Sequence, residues 1–273
     1  MAMKRLARHD LYQLGEPAGT ISRIECFFAT RRDTRLPVMI YRVPIQDPRR
    51  DCEEFISTVR PWGLLSNPRL PLLFDAWDGE NCIEFATTTR EGAPLDTDEA
   101  QRLLEQHHGN AGLSLCLQSL FALAALHEQN IAHRDVRAGR FVVCPDGTVF
   151  MRDSGLLPTI ARQVLGEGEA GGFGLALSSN LQCEDLGDWA LTCCRILGAG
   201  HLINDSHHDG RTLHGDLVDQ IIGQVAPRIS NGRLRKIVRR ALMGRVPEAG
   251  DLESAAAARD ALVKDVPELA ISI

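Results

Sequence analysis

The sequence of 273 residues has no apolar run approaching the roughly 18 residues that a bilayer-spanning helix requires, so no membrane span is expected. It has no excess of positive charge: 30 Lys and Arg stand against 36 Asp and Glu, a net charge of -6. That balance gives no general attraction to nucleic acid or to anionic lipid, and neither is expected as a partner. None of the eight cysteines forms a C-x-x-C pair, so neither a zinc site nor a disulfide framework is indicated. Most lie in apolar segments, as reduced, buried thiols do. Behind the basic start Met1-Ala2-Met3-Lys4-Arg5 there is no apolar core, so a signal peptide is not expected and a cytoplasmic location is. Internal repeats and low-complexity tracts are also missing. What remains, 44% apolar and 24% charged residues, fits one large domain or two small lobes.

The chain is organised around Ala132-His133-Arg134-Asp135-Val136-Arg137-Ala138-Gly139-Arg140. Eighteen residues after Asp135 come Asp153-Ser154-Gly155. Between them, Phe141–Cys144 and Thr148–Met151 are β-prone runs around a Pro-Asp-Gly turn, which predicts a hairpin. Asp135 and Asp153 would flank that hairpin and bring two carboxylates to one cleft.

Motif, spacing and hairpin together resemble the catalytic loop and metal-binding loop of the eukaryotic-type (bacterial Ser/Thr-like) protein kinases, H-R-D-L-x-x-x-x-N followed by D-F-G. The resemblance covers roughly residues 10–265 and is strongest from Leu113 to Leu197. It implies an α+β, bilobal kinase-like fold, with a small β-rich lobe over 1–90 and a larger, mostly helical lobe over 91–273. It implies Asp135 and Arg137 as catalytic-loop residues and Asp153 as the metal ligand. Ile40, Arg42, Thr87, Val142 and Arg140 then fall at the nucleotide. ATP and Mg²⁺ are the implied cofactors, with Mg²⁺ put in question by Arg140. Glu184–Ala190 resembles the start of the family's central helix, where the aspartate, here Asp185, binds the backbone of the catalytic loop.

The small lobe is read as strands over Ile21–Ala29 and Val38–Val43, a helix from Asp47 to Trp62, and a strand at Cys82–Thr87. Met39-Ile40-Tyr41-Arg42 is set against V-A-I-K, so Arg42 stands for the phosphate-pairing lysine. The three glycine positions of the phosphate loop then fall on Thr20, Ser22 and Glu25, and the glutamate that pairs with the lysine falls on Thr58. Asp96 onward is read as helical, with Leu113, Leu117, Leu120 and Ala124 forming an amphipathic stripe. A second such helix carries Leu234, Ile237, Val238, Ala241 and Leu242 opposite a basic face. The glycine-rich stretch from Gly166 to Gly174 has no A-P-E, and Asp251 stands where the family has the arginine that pairs with it. His201–Asp216 is read as a polar loop.

These departures, with Arg140 in place of asparagine and Ser154 in place of phenylalanine, point to a pseudokinase that works by binding a protein partner, with or without nucleotide. An active Ser/Thr kinase with an atypical lysine and metal arrangement is the alternative. Nucleotidyl transfer on the same fold is a further one.

Overall fold

The computed structural model describes residues 11–166, 179–203, 213–243 and 254–265. The protein is α+β, with antiparallel sheets and eight α-helices among the described residues. It forms two compact units, Met1–Arg90 with Arg152–Gly174 and Glu91–Met151 with Leu175–Ile273. The division falls between Arg90 and Glu91, and the segment Arg152–Gly174 belongs to the first unit.

The first unit holds a five-stranded antiparallel sheet of order β1-β2-β3-β5-β4. Its strands are β1 (Tyr12–Ile21), β2 (Ile24–Arg31), β3 (Pro37–Pro44), β4 (Leu73–Asp78) and β5 (Cys82–Thr88). Two helices accompany it, α1 (Pro48–Val59) and α4 (Leu156–Gln163). Helix α1 starts where the sequence places it, because Asp47 caps it by accepting from the N–H groups of Arg49 and Arg50 at 3.2 Å, with Pro48 at the first position. It stops at Val59, and Trp62 lies in a separate turn, Trp62–Leu64.

The apolar run Ile21–Ala29 is not one strand. Ile21 pairs with Ile24, so Ser22 and Arg23 form a two-residue turn, with Ser22 at a φ of 56°. Thr20 and Glu25 are cross-strand partners in this hairpin. The positions assigned to a glycine-rich phosphate loop thus form a tight β-hairpin.

The second unit holds a three-stranded sheet of β6 (Ala93–Pro94), β7 (Phe141–Val143) and β8 (Val149–Met151). Strands β7 and β8 are the hairpin expected around Pro145-Asp146-Gly147, with Gly147 at a φ of 76°. Six helices complete it: α2 (Asp98–His108), α3 (Ala111–Glu128), α5 (Ser179–Cys194), α6 (Gly215–Val225), α7 (Gly232–Met243) and α8 (Ala255–Asp265). The helical stretch after Asp96 is two helices, because Gly109 takes a left-handed φ of 69° and its N–H caps the carbonyl of Glu105.

Helix α3 is not amphipathic. Leu115, Leu117, Leu120, Leu123, Ala124 and Leu126 are buried, and so are Ser114 and Gln118 on the other side, with Phe121 and Ala125 half-buried. Among the described residues it is the one helix long and apolar enough to cross a membrane, yet 78% of that stretch is buried inside the protein. It is a core helix. Helix α5 crosses it, with Trp189 fully buried and its indole N–H donating to the Ser119 hydroxyl at 2.9 Å.

Helix α7 buries Leu234, Ile237, Val238, Ala241 and Leu242, as expected from the sequence, and its basic face includes the exposed Arg239, paired with Asp219. The glycines from 168 to 174, most of the His201–Asp216 loop, and Asp251 lie outside the described residues. All eight cysteines are free thiols and six are buried.

Candidate functional site

The residues singled out by the sequence divide between the two units. In the second unit the element that orders them is Asp185 on α5, which is 1% exposed. Its carboxylate accepts the backbone N–H of His133 and of Arg134, both at 2.6 Å. It also pairs with His127 Nε2 at 3.1 Å. The other ring nitrogen, Nδ1, accepts the N–H of Ala255 at 2.9 Å. Nε2 must therefore carry the proton, and His127 links α3, α5 and the start of α8. The role that the resemblance implies for Asp185 is the one its geometry displays. Two N–H groups held by one carboxylate keep Arg134 at a φ of 66°, a conformation that is costly for a residue with a side chain.

The loop so held presents Asp135 between two guanidinium groups. Arg137 Nε donates to Oδ1, and Arg140 donates to Oδ2 from Nε at 2.8 Å and also from Nη2. Both carboxylate oxygens are thus engaged by charge-assisted bonds. Val142 lies in the adjoining β7, fully buried with Cys144 and Phe150.

In the first unit, strand alternation divides the residues between two faces. Tyr12, Ala29, Val38, Ile40, Trp77 and Ala86 form one apolar cluster. Arg42 lies on that same face. Its Nε donates to Glu84 at 2.7 Å, Glu25 sits opposite at 3.5 Å, and its guanidinium stands 4.8 Å from the Phe27 ring centroid. The Trp77 indole N–H also donates to Glu84, at 2.6 Å. The second face carries Cys26, Tyr41 and Phe85. Tyr41 stacks on Phe85 with centroids 4.8 Å apart, and Phe85 meets Phe55 of α1 at 5.5 Å.

Asp153 acts on this second face. Burial pushes the Tyr41 phenol well above its ordinary range, and the charges of Cys26 and Asp153 add to it. Burial raises the Cys26 thiol too, with Asp153 contributing. Ile40 and Arg42 therefore lie on the face of β3 opposite Tyr41, and it is Tyr41 that shares a face with Asp153. Thr87, opposite Met39 and buried, remains on the Asp153 face.

Thr58 makes no ion pair with Arg42. Its hydroxyl donates to Gln163 Oε1 at 2.7 Å, tying α1 to α4. Ser154 is buried, and its carbonyl accepts the Trp62 indole N–H at 3.0 Å. Trp62 thus supplies apolar cover that the serine side chain does not. The Gly155 N–H caps Asp153 Oδ1 at 2.9 Å.

Among the described residues, no three His, Cys, Asp or Glu side chains gather as a metal ion would require. Asp135, with a guanidinium on each oxygen, does not fit the donor set for Mg²⁺. No known protein-family model matches the chain.

A pH test reads the Tyr41 assignment. Its folded-state value lies above the unfolded one, so the stability of the neutral phenol is complete below about pH 10 and is lost as pH rises beyond that. Tyr41→Phe is expected to resist alkaline unfolding better than the wild type, by up to about 1 kcal/mol for each pH unit above 10. Denaturant titrations at pH 9 and 11 measure it, and an unchanged pH dependence would refute the assignment.

Proposed function

We propose that this protein is a kinase-like pseudoenzyme of two lobes that acts by binding a protein partner, with little or no phosphoryl transfer. The carrying observation is the Asp135 carboxylate held by Arg137 and Arg140. In a protein kinase the corresponding aspartate receives or orients the substrate hydroxyl, and the position of Arg140 belongs to an asparagine on Mg²⁺. Here a fixed cation occupies that place. A guanidinium about 5 Å from a divalent ion would be repelled by roughly 6–7 kcal/mol at an effective dielectric near 20, so Arg140 works against a metal at that position.

Tyr41 supports the same reading. A neutral, buried phenol stands where a phosphate-pairing cation would be needed, and Thr58 stands where its glutamate would be. The Ser22–Arg23 turn supports it too, being too short to wrap a triphosphate. If Mg²⁺ binds at all, Asp153 is the residue left to hold it, and the ion would supply charge neutralisation to the phosphates.

The test is incubation with γ-labelled ATP and Mg²⁺, alone and with a generic protein substrate, beside Asp135→Asn. No label above background is expected from either protein. Transfer that disappears in Asp135→Asn would overturn the proposal in favour of an active kinase. In parallel, a nucleotide at 100 times its Kd would stabilise the fold by about 2.7 kcal/mol. Any such shift is expected with ATP alone and without enhancement by Mg²⁺.

A further inference from the structure

The second unit contains a cavity of about 620 Å³ between the start of α2, the loop after Asp135 and the end of α5. That size is in the range of ligand sites. Three arginines line it, Arg137, Arg195 and Arg228, against two acids, Asp96 and Asp98. All three arginines are exposed. No aromatic ring lines it, so it offers no platform for a base.

Two further features show what the cavity lacks. Gln101 Nε2 is buried without a hydrogen-bond acceptor among the described residues, although Gln101 lines the cavity. A buried donor left unpaired is costly, and an incoming acceptor removes that cost. Arg228 lies beside Gly198 and Gly112. Its guanidinium carbon lies 3.9 Å from where a Cβ on Gly198 would stand, and its carbonyl lies 2.6 Å from the corresponding point on Gly112. Gly198, in the turn Arg195–Ala199 that follows α5, has a φ of 108°, a backbone conformation that favours glycine.

We propose that this cavity seats an acidic segment of a protein partner. Carboxylate or phosphorylated side chains would lie against Arg195 and Arg228, and Gln101 would donate to the segment's backbone or side-chain oxygen. Planar guanidinium forks suit both carboxylate and phosphate. Asp96 and Asp98 on the same rim disfavour a compact multiply charged anion and accept the N–H groups of an extended chain. Arg137 joins this surface to the Asp135 clamp, so an occupant competes with Asp135 for Arg137. The inference deepens the reading of the protein as a partner-binding module, but it needs no nucleotide and no statement about catalysis.

The experiment uses the full chain without nucleotide and follows the fluorescence anisotropy of a labelled hexaglutamate peptide. A phosphoserine-containing acidic peptide, hexalysine and inorganic phosphate serve as comparisons. Hexaglutamate is expected to bind, the phosphopeptide at least as tightly, and hexalysine not at all. Arg195→Ala with Arg228→Ala is expected to weaken hexaglutamate at least tenfold. Arg195→Glu with Arg228→Glu is expected to exchange the preference to hexalysine. Arg233→Ala with Lys236→Ala on α7 is expected to change binding less than twofold. Equal binding by the Arg195 and Arg228 variants would overturn the proposal, as would a loss as large in the α7 variant. Inorganic phosphate competing at the concentration of the peptide would make this a small-anion site and also overturn it. A positive result beside label transfer from ATP would leave the cavity assigned and refute only the pseudoenzyme reading.

Discussion

Asp185→Ala is expected to destabilise the second unit by about 4 kcal/mol, enough to lower its Tm by roughly 10 °C. The substitution leaves three donors without this acceptor: the buried N–H of His133, the buried His127 ring and the part-buried N–H of Arg134. Each such orphan costs about 1–3 kcal/mol. With its anchors gone, Arg134 has no reason to hold its left-handed φ, so the loop should relax and release Asp135. Asp185→Asn keeps one acceptor oxygen and should fall between wild type and alanine. Calorimetry gives the stability, and amide exchange at His133 and Arg134 gives the local effect. A loss under 1 kcal/mol, or amides as protected as before, would show that Asp185 does not hold this loop.

Glu84→Ala is expected to cost about 3 kcal/mol, because it strands the Trp77 indole N–H and removes the counter-charge of a partly buried Arg42. Arg42→Met leaves the 3%-exposed Glu84 facing the Trp77 indole without its counter-charge and should cost about 2 kcal/mol, discounted for Arg42's partial exposure. Removing both, Arg42→Met with Glu84→Ala, leaves the indole stranded but no unpaired charge, and should cost less than the sum of the two single changes. Urea titrations of the four proteins close the cycle, and a coupling below about 0.5 kcal/mol would refute the pairing. None of these changes should alter a nucleotide-induced shift in Tm, because Arg42 faces away from Asp153. A shift abolished by Arg42→Met alone would return Arg42 to the nucleotide.

What could be read from the sequence, and what could not, follows from how locally each feature is determined. The Asp47-Pro48 start of α1 and the Pro-Asp-Gly turn between β7 and β8 are set by residues within a few positions, and both are found in place. Asp185 was legible through the resemblance of Glu184–Ala190 to the start of the kinases' central helix, and it accepts the loop's backbone N–H groups. The sequence reading gives no strand before Ile21, since Gly15, Pro17 and Gly19 interrupt any β-prone run over Tyr12–Ile21. An edge strand tolerates them, and the register shifts around Pro17 absorb the irregularity. The polarity of Val38–Val43 does not alternate, so the sequence does not mark which face Arg42 takes. Its partners, Glu84 and Glu25, come from neighbouring strands and are not legible locally. Helix α3 hid its all-round burial behind Ser119 and Gln118. Those polar groups are satisfied inside the core, Ser119 by the Leu115 carbonyl and Gln118 by the hairpin backbone at Gly147 and Val149.

That buried helix has a consequence for biosynthesis. Helix α3 lies near the middle of the chain, yet part of its cover comes from α8, through Ala255 on His127 and Arg259 on Glu128. A ribosome must therefore make more than a hundred further residues before the helix is fully enclosed. Until then its oily surface is open to chaperones, to lipid and to other nascent chains. Premature termination ahead of residue 254 should yield a product found in aggregates or on membranes.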